Sequence, residues 1–366
     1  MAPHERVFVD RAFAEDENHG DMDCAECHGG NPEAPGFEAA HEGVVRDPSA
    51  ADGSGACGEC HDEIAAVART SLHVTLEPYR RMTEARAGED VQVHAKLAEA
   101  RRASCESCHA SCGQCHVSRP ASVGGGLLQR HLFQKKPPMR QTCTACHGSR
   151  IEKEYFGQNE GIKADVHRFK RMECQACHTG AEMHGTGVAY ASRYEVENAP
   201  TCLGCHKEIF AAASPMAETH RQHRTAASCE VCHAQSYKNC ASCHVGKDPA
   251  GLPFFKTRST WLDFKIGRNP APSARHPEKY VVVRHVPVDR ETFAFYVEDA
   301  LTRFDRLPTW KLATPHNIQR KTPQNAACNN CHGTAKLFLR ESDVEPGERN
   351  ANRDVIVPEQ EIPARQ

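Results

Sequence analysis

Ten short clusters of sulfur and imidazole constrain this chain more than any other feature. All 20 cysteines fall in Cys-x-x-Cys pairs, and a histidine follows every pair at once. The clusters are Cys24-Ala-Glu-Cys27-His28, Cys57-Gly-Glu-Cys60-His61, Cys105-Glu-Ser-Cys108-His109, Cys112-Gly-Gln-Cys115-His116 and Cys143-Thr-Ala-Cys146-His147. Cys174-Gln-Ala-Cys177-His178, Cys202-Leu-Gly-Cys205-His206, Cys229-Glu-Val-Cys232-His233, Cys240-Ala-Ser-Cys243-His244 and Cys328-Asn-Asn-Cys331-His332 complete the set. Sharing 366 residues among them leaves about 37 for each, and only 39 % of the chain is apolar. A large side-chain core is hard to build from that composition. No run approaches the roughly 18 consecutive apolar residues of a membrane helix. The 45 basic and 48 acidic residues give a formal charge of −3, without the basic excess of a nucleic-acid binder.

This spacing is the attachment pattern of c-type haem. Two thiols three positions apart on one helical turn each form a thioether with a haem vinyl group. The next residue then lies under the iron, so His28, His61, His109, His116, His147, His178, His206, His233, His244 and His332 are the expected proximal ligands. The competing chemistries fit less well. Zinc sites gather ligands in fours and give no reason for a histidine after every pair. Disulfides need no histidine, and a thioredoxin-like dithiol sits once per domain beside a βαβ pattern that is not visible here. From about residue 20 to 335 the chain resembles the multihaem c-type cytochromes. The resemblance implies ten covalently bound haem c groups. It also implies short α-helices and loops wrapped round a haem chain, with little regular structure.

Matches outside the motifs point to a duplication. His131-Leu-Phe-Gln-Lys-Lys-Pro-Pro leads to Cys143, and His316-Asn-Ile-Gln-Arg-Lys-Thr-Pro leads to Cys328, at a constant offset of 185. Gln134/Gln319, Lys136/Lys321 and Pro138/Pro323 coincide. Ser104 to Val117 parallels Ser228 to Val245, which sets Cys105 against Cys229 and Cys112 against Cys240. Cys57 to Ile64 parallels Cys202 to Ile209. Two pentahaem halves follow, residues 1–155 and 156–340, with a polar tail over 341–366.

Thirteen histidines lie outside the motifs. The first half offers His19, His41, His73, His94 and His131. The second offers His167, His184, His220, His223 and His316 in matching slots. These ten are the expected distal ligands, giving bis-histidine, low-spin irons. His4, His276 and His285 have no counterparts, and His285 is the natural substitute for a mistaken choice. The sequence leaves open which distal histidine serves which iron.

Residues 246–315 have no cysteine but hold both tryptophans and 10 of the 23 aromatics. The matching stretch of the first half, between His116 and His131, is only 14 residues long. It is therefore a haem-free insert, expected to cover haem edges or to dock a redox partner. Lys279 to Pro287 reads as a strand, and Thr292 to Val297 as a strand or short helix. Ala56 to Thr70 and Glu89 to Ala103 have helical character. The tail, with Glu345-Pro-Gly-Glu-Arg-Asn-Ala-Asn, reads as extended or disordered.

The resemblance implies electron transfer through closely spaced haems, in anaerobic respiration or extracellular electron transfer. Two relatives come to mind, the decahaem subunits of porin–cytochrome conduits and the filament-forming multihaem cytochromes. The expected partners are redox donors and acceptors, and copies of the chain itself in a filament. Thioether attachment occurs outside the cytoplasm in bacteria, so a periplasmic or extracellular location is expected. Met1-Ala-Pro-His-Glu-Arg lacks the apolar stretch of a leader. Each haem adds two ionised propionates, so the loaded protein is more acidic than −3 by roughly 10 to 20 units. The alternative is a multihaem reductase or oxidase of a small nitrogen or sulfur compound, with one open-site iron. No motif carries the Cys-x-x-Cys-Lys of the nitrite reductase family. Tyr190 and Tyr194 stand as candidates for the tyrosine cross-link of the hydroxylamine oxidoreductase family.

Overall fold

The computed structural model describes residues 9, 11–49, 55–106, 110–120, 123–248, 250–254 and 259–366. Cys108, His109 and His4 lie outside the described residues. The chain forms short helices joined by long loops, with small antiparallel sheets confined to residues 237–312. Among the described residues, no helix is long and apolar enough to cross a membrane.

Two compact units are built from discontinuous segments. Unit one takes residues 1–77, 106–148 and 174–191, and unit two takes 78–105, 149–173 and 192–366. Their interiors differ. Ala68 and Met139 are the buried apolar side chains of unit one among the described residues, whereas unit two holds three apolar clusters.

The strands are β1 (Tyr237–Lys238), β2 (Gly246–Lys247), β3 (Pro253–Phe254), β4 (Leu262–Asp263), β5 (Lys265–Arg268), β6 (Tyr280–His285) and β7 (Trp310–Leu312). β1 pairs with β4 and β2 with β3. β5, β6 and β7 form an antiparallel sheet with Ile266 opposite Val282 and Val283 opposite Leu312. Every residue of β6 is buried, because apolar layers cover both faces. Alternation along the strand sends Val282 to one layer, with Ile266, Tyr280, Phe338 and Val357. Val281 and Val283 go to the other, with Trp310, Leu339 and Val355.

The strand expected over Lys279 to Pro287 is therefore present as β6. Thr292 to Val297 is instead a run of turns, with Thr292 N donating to Asp289 O at 3.2 Å and Tyr296 N to Phe293 O at 2.9 Å. The cysteine-free segment is no separate cover. It supplies β2 to β7 and the core residues Val288, Phe293 and Leu301. Trp310 is buried, while Trp261 and Phe295 are exposed.

The C-terminal residues are ordered, contrary to the reading from their polarity. Val344, Val355 and Val357 are buried against the sheet. Their backbone extends it: Leu339 N donates to Ile266 O at 2.8 Å, Arg268 N to Val355 O at 2.8 Å and Val357 N to Leu339 O at 2.9 Å. The helices expected near Ala56 to Thr70 and Glu89 to Ala103 appear as Cys57–Cys60 with Asp62–Ala68, and as Val91–Ala100. Asp90 caps the last by accepting from Gln92 N at 2.8 Å. Its inner face buries Leu97 and Ala100.

Ile266 is fully buried between β6 and Phe338. Ile266→Ala is expected to cost about 2–5 kcal/mol of unfolding free energy, by lost burial and the cavity left behind. Urea unfolding followed by Trp fluorescence measures it.

Candidate haem-binding site

Eight of the ten clusters fold as local turns. Cys24–His28, Cys112–His116, Cys143–His147 and Cys229–His233 are single helical turns. Cys57–Cys60 and Cys202–Cys205 end one residue before the histidine. Cys174–Ala176 and Cys328–Asn330 are 3₁₀ turns. Backbone bonds to the first cysteine close the turn, from His61 to Cys57 at 2.9 Å, from His178 to Cys174 at 2.8 Å and from His332 to Cys328 at 2.9 Å. Two thiols and an imidazole therefore leave one turn together. Caps help: Ser111 Oγ accepts from Gln114 N at 3.3 Å, and Thr201 Oγ1 from Gly204 N at 3.1 Å. Among the described residues no cysteine is in a disulfide, and no group of three His, Cys, Asp or Glu converges as a metal-ion site. Neither disulfides nor four-ligand zinc centres account for the motifs there.

The motif histidines meet the other histidines in pairs. In unit one His61 faces His19 with ring centres 6.3 Å apart, His28 faces His131 at 6.4 Å, His147 faces His73 at 6.3 Å and His116 faces His184 at 6.1 Å. In unit two His206 faces His167 at 6.1 Å, His233 faces His220 at 6.4 Å and His332 faces His223 at 6.0 Å. Rings in van der Waals stacking would lie closer: His19 stacks on Phe133 at 4.0 Å. Two metal–nitrogen bonds of about 2.0 Å, with about 1.1 Å from each nitrogen to its ring centre, set two imidazoles on one metal about 6.2 Å apart. The residues therefore fit an axial pair.

The hydrogen bonds orient the same nitrogen each time. Nδ1 of His28 donates to Val45 O at 2.8 Å, of His116 to Gln134 O at 2.7 Å, of His233 to Gln319 O at 3.0 Å and of His332 to Ala364 O at 3.0 Å. His178 Nδ1 bonds Glu182 at 2.9 Å. Among the partners, His19 bonds Asp16 at 3.2 Å, His167 bonds Asp165 at 2.8 Å and His223 bonds Thr219 O at 2.8 Å. His41 and His316 do the same on Phe37 O at 2.7 Å and Thr314 O at 2.9 Å. A proton held at Nδ1 leaves the Nε2 lone pair for a metal. Burial pushes the His73, His184 and His244 pKa values down, which favours the neutral imidazole a metal requires.

Two histidines depart from this pattern. His94 instead donates through Nε2 to Gly88 O at 2.9 Å. His285 uses Nε2 on Glu348 at 2.8 Å and stacks on Trp310 at 5.2 Å. It is buried, with Nε2 engaged. His276 lies edge-on to Tyr194 at 6.0 Å, and the Tyr194 hydroxyl donates to Leu312 O at 2.6 Å. The Tyr190 hydroxyl sits 3.4 Å from Thr186 Oγ1.

Thiols of different motifs also adjoin. Cys57 and Cys112 share a hydrogen bond that pushes the first thiol up and the second down to about 7. Cys202 and Cys229 share another, with the same directions. Burial pushes Cys115, Cys232 and Cys243 up to about 11, with Cys143, Cys331 and Cys105 as their respective neighbours.

Gln134 and Gln319 lie 185 residues apart in matching flanks. Gln134 N donates to His116 O at 2.7 Å, and Gln319 N to His233 O at 2.8 Å.

No protein-family model matches the chain, and no curated protein does. Its structure is similar to the crystal structure of an octaheme cytochrome c from Shewanella oneidensis, at 13 % identity and a TM-score of 0.42, over 84 % of this chain and 97 % of that one.

Asp165 is buried and holds both His167 and Ile318 N, the latter at 2.7 Å. Asp165→Ala is expected to release the His167 ring and weaken metal capture there by about 10–100-fold. In the haem-loaded protein the readout is a new high-spin ferric resonance absent from the parent.

Proposed function

We propose that this chain is a multihaem c-type cytochrome that moves electrons through ten covalently attached, bis-histidine haems. The supporting observation is the set of seven motif-to-partner imidazole pairs, spaced for one metal. Each cysteine pair would anchor one haem, and the following histidine would hold its iron from one side. His19, His73, His131, His167, His184, His220 and His223 would hold the other side of the irons at His61, His147, His28, His206, His116, His233 and His332. His41 and His316 also bond through Nδ1 and are assigned to remaining irons. His94 joins them on breaking its bond to Gly88. Bound haem supplies a one-electron iron couple. The protein's part is to fix both imidazoles before and after the electron passes, so that little reorganises. The Nδ1 bonds do this, since they lock each ring against rotation.

We also propose that the repeat is two sets of four motifs. The first, second, fourth and fifth would correspond to the sixth, seventh, eighth and tenth. The third and ninth would stand outside, adjoining each other through Cys105 and Cys243. The attachment chemistry supports a periplasmic or extracellular location, with redox proteins as partners.

Mass spectrometry of the full chain matured in a bacterial periplasm is expected to give ten haems and no thiol open to alkylation. Ferric spectra are expected to be wholly low-spin, and the reduced spectrum unchanged by carbon monoxide. Fewer than ten haems overturns the assignment. A high-spin resting iron that binds carbon monoxide favours a reductase or oxidase over a carrier.

A further inference from the structure

Cations gather round the ninth motif. Arg150 Nη1 lies 3.0 Å from Cys240 Sγ. Arg193 and Arg284 act electrostatically on the same thiol, and Arg86 and Lys311 act on Cys243. Arg86 is fully buried and held by carbonyls, with Nε donating to Phe304 O at 3.0 Å and Nη2 to Leu307 O at 3.0 Å and Pro308 O at 3.1 Å. Two carboxylates stand among these cations. Glu154 pairs with Arg284 and also accepts from His316 N at 3.0 Å. Glu348 accepts from Thr309 Oγ1 at 2.7 Å and from His285. Positive charge is left in excess. Burial, then Arg86, pushes the Lys311 ammonium down to about 8, so it is still largely charged at pH 7.

Other motifs face the opposite sign. Glu26 and Glu59 act on Cys27, and Asp47 acts on Cys57 and Cys112. Glu230 acts on Cys202 and Cys229.

We propose that Arg86, Arg150 and Lys311 give the ninth-motif haem the highest reduction potential of the chain, making it the point where electrons collect. The inference rests on the haem reading above. Reduction lowers the charge on the iron by one unit, and fixed cations in a poorly solvated site favour the less positive state. The same cations offset the propionates, which act the other way. One electron leaves a reduced neighbouring iron and one ferric iron becomes ferrous, with no other reactant. The third motif is the adjoining donor, through Cys105.

The test is a potentiometric titration of the haem-loaded full chain, with haem content checked by mass. Lys311→Gln and Arg150→Gln are each expected to move the highest-potential component down by about tenfold in its one-electron equilibrium, about 59 mV. The remaining components stay in place, and Lys96→Gln, at an exposed site, moves none. The proposal falls if that component is unmoved in both variants, or if all components shift together. Should Lys311→Gln not fold, Arg150→Gln decides alone. A parent carrying fewer than ten haems overturns the haem reading itself, which the mass reports independently of any potential.

Discussion

One hydrogen bond recurs through the molecule, from histidine Nδ1 to an acceptor supplied from elsewhere in the chain. A neutral bond of this kind contributes only about 0.5–1.5 kcal/mol net. Its larger effect is on direction, because it decides which ring nitrogen faces inward. The acceptors are distant in sequence: Val45 for His28, Gln134 for His116, Gln319 for His233 and Ala364 for His332. Folding must therefore close loops of 17 to 86 residues to orient one ring. For His28, His116 and His233 the closing residue also donates its own N–H to the histidine carbonyl, at 2.7, 2.7 and 2.8 Å. The paired bonds turn each closure into a short clamp. Much of the loop structure becomes intelligible as the path between one clamp and the next.

The motifs were legible because thioether chemistry needs a rigid local spacing, and local spacing survives in one sequence. Seven of the partner histidines were also legible, through their slots relative to the motifs. Which motif each would face was not, since His73 meets His147 and His184 meets His116 only through tertiary closure. Gln134 and Gln319, matched in the flanking sequence, each bond a motif histidine. The tail escaped notice because Val344, Val355 and Val357 are scattered among polar residues without a strand's alternation. Their burial depends on the edge of β5, which the sequence of the tail does not contain.

The scarcity of apolar residues is unevenly distributed. Unit two concentrates them on both faces of β6, so it has a side-chain core of ordinary kind. Unit one carries five of the ten motifs with almost no such core. Its order at that composition is understandable if covalently held porphyrin supplies the apolar volume.

The core of unit two also explains how charge can be placed beside the ninth motif. Burying a guanidinium is costly unless its donors are satisfied. Arg86 is held by three carbonyls of residues 304–308, and Arg284 pairs with Glu154 through one nitrogen. Arg284 on β6 pairs with Lys311 on β7, beside the buried pair Val283 and Leu312. A rigid strand pair can thus present cations that a loop would let swing into water. Glu230 beside the seventh and eighth motifs lies in the same unit. In the proposed haem-loaded protein, opposite charges held at different motifs of one unit would separate the energies at which those sites accept an electron. Electron direction within the unit would then follow from fixed side chains rather than from motion.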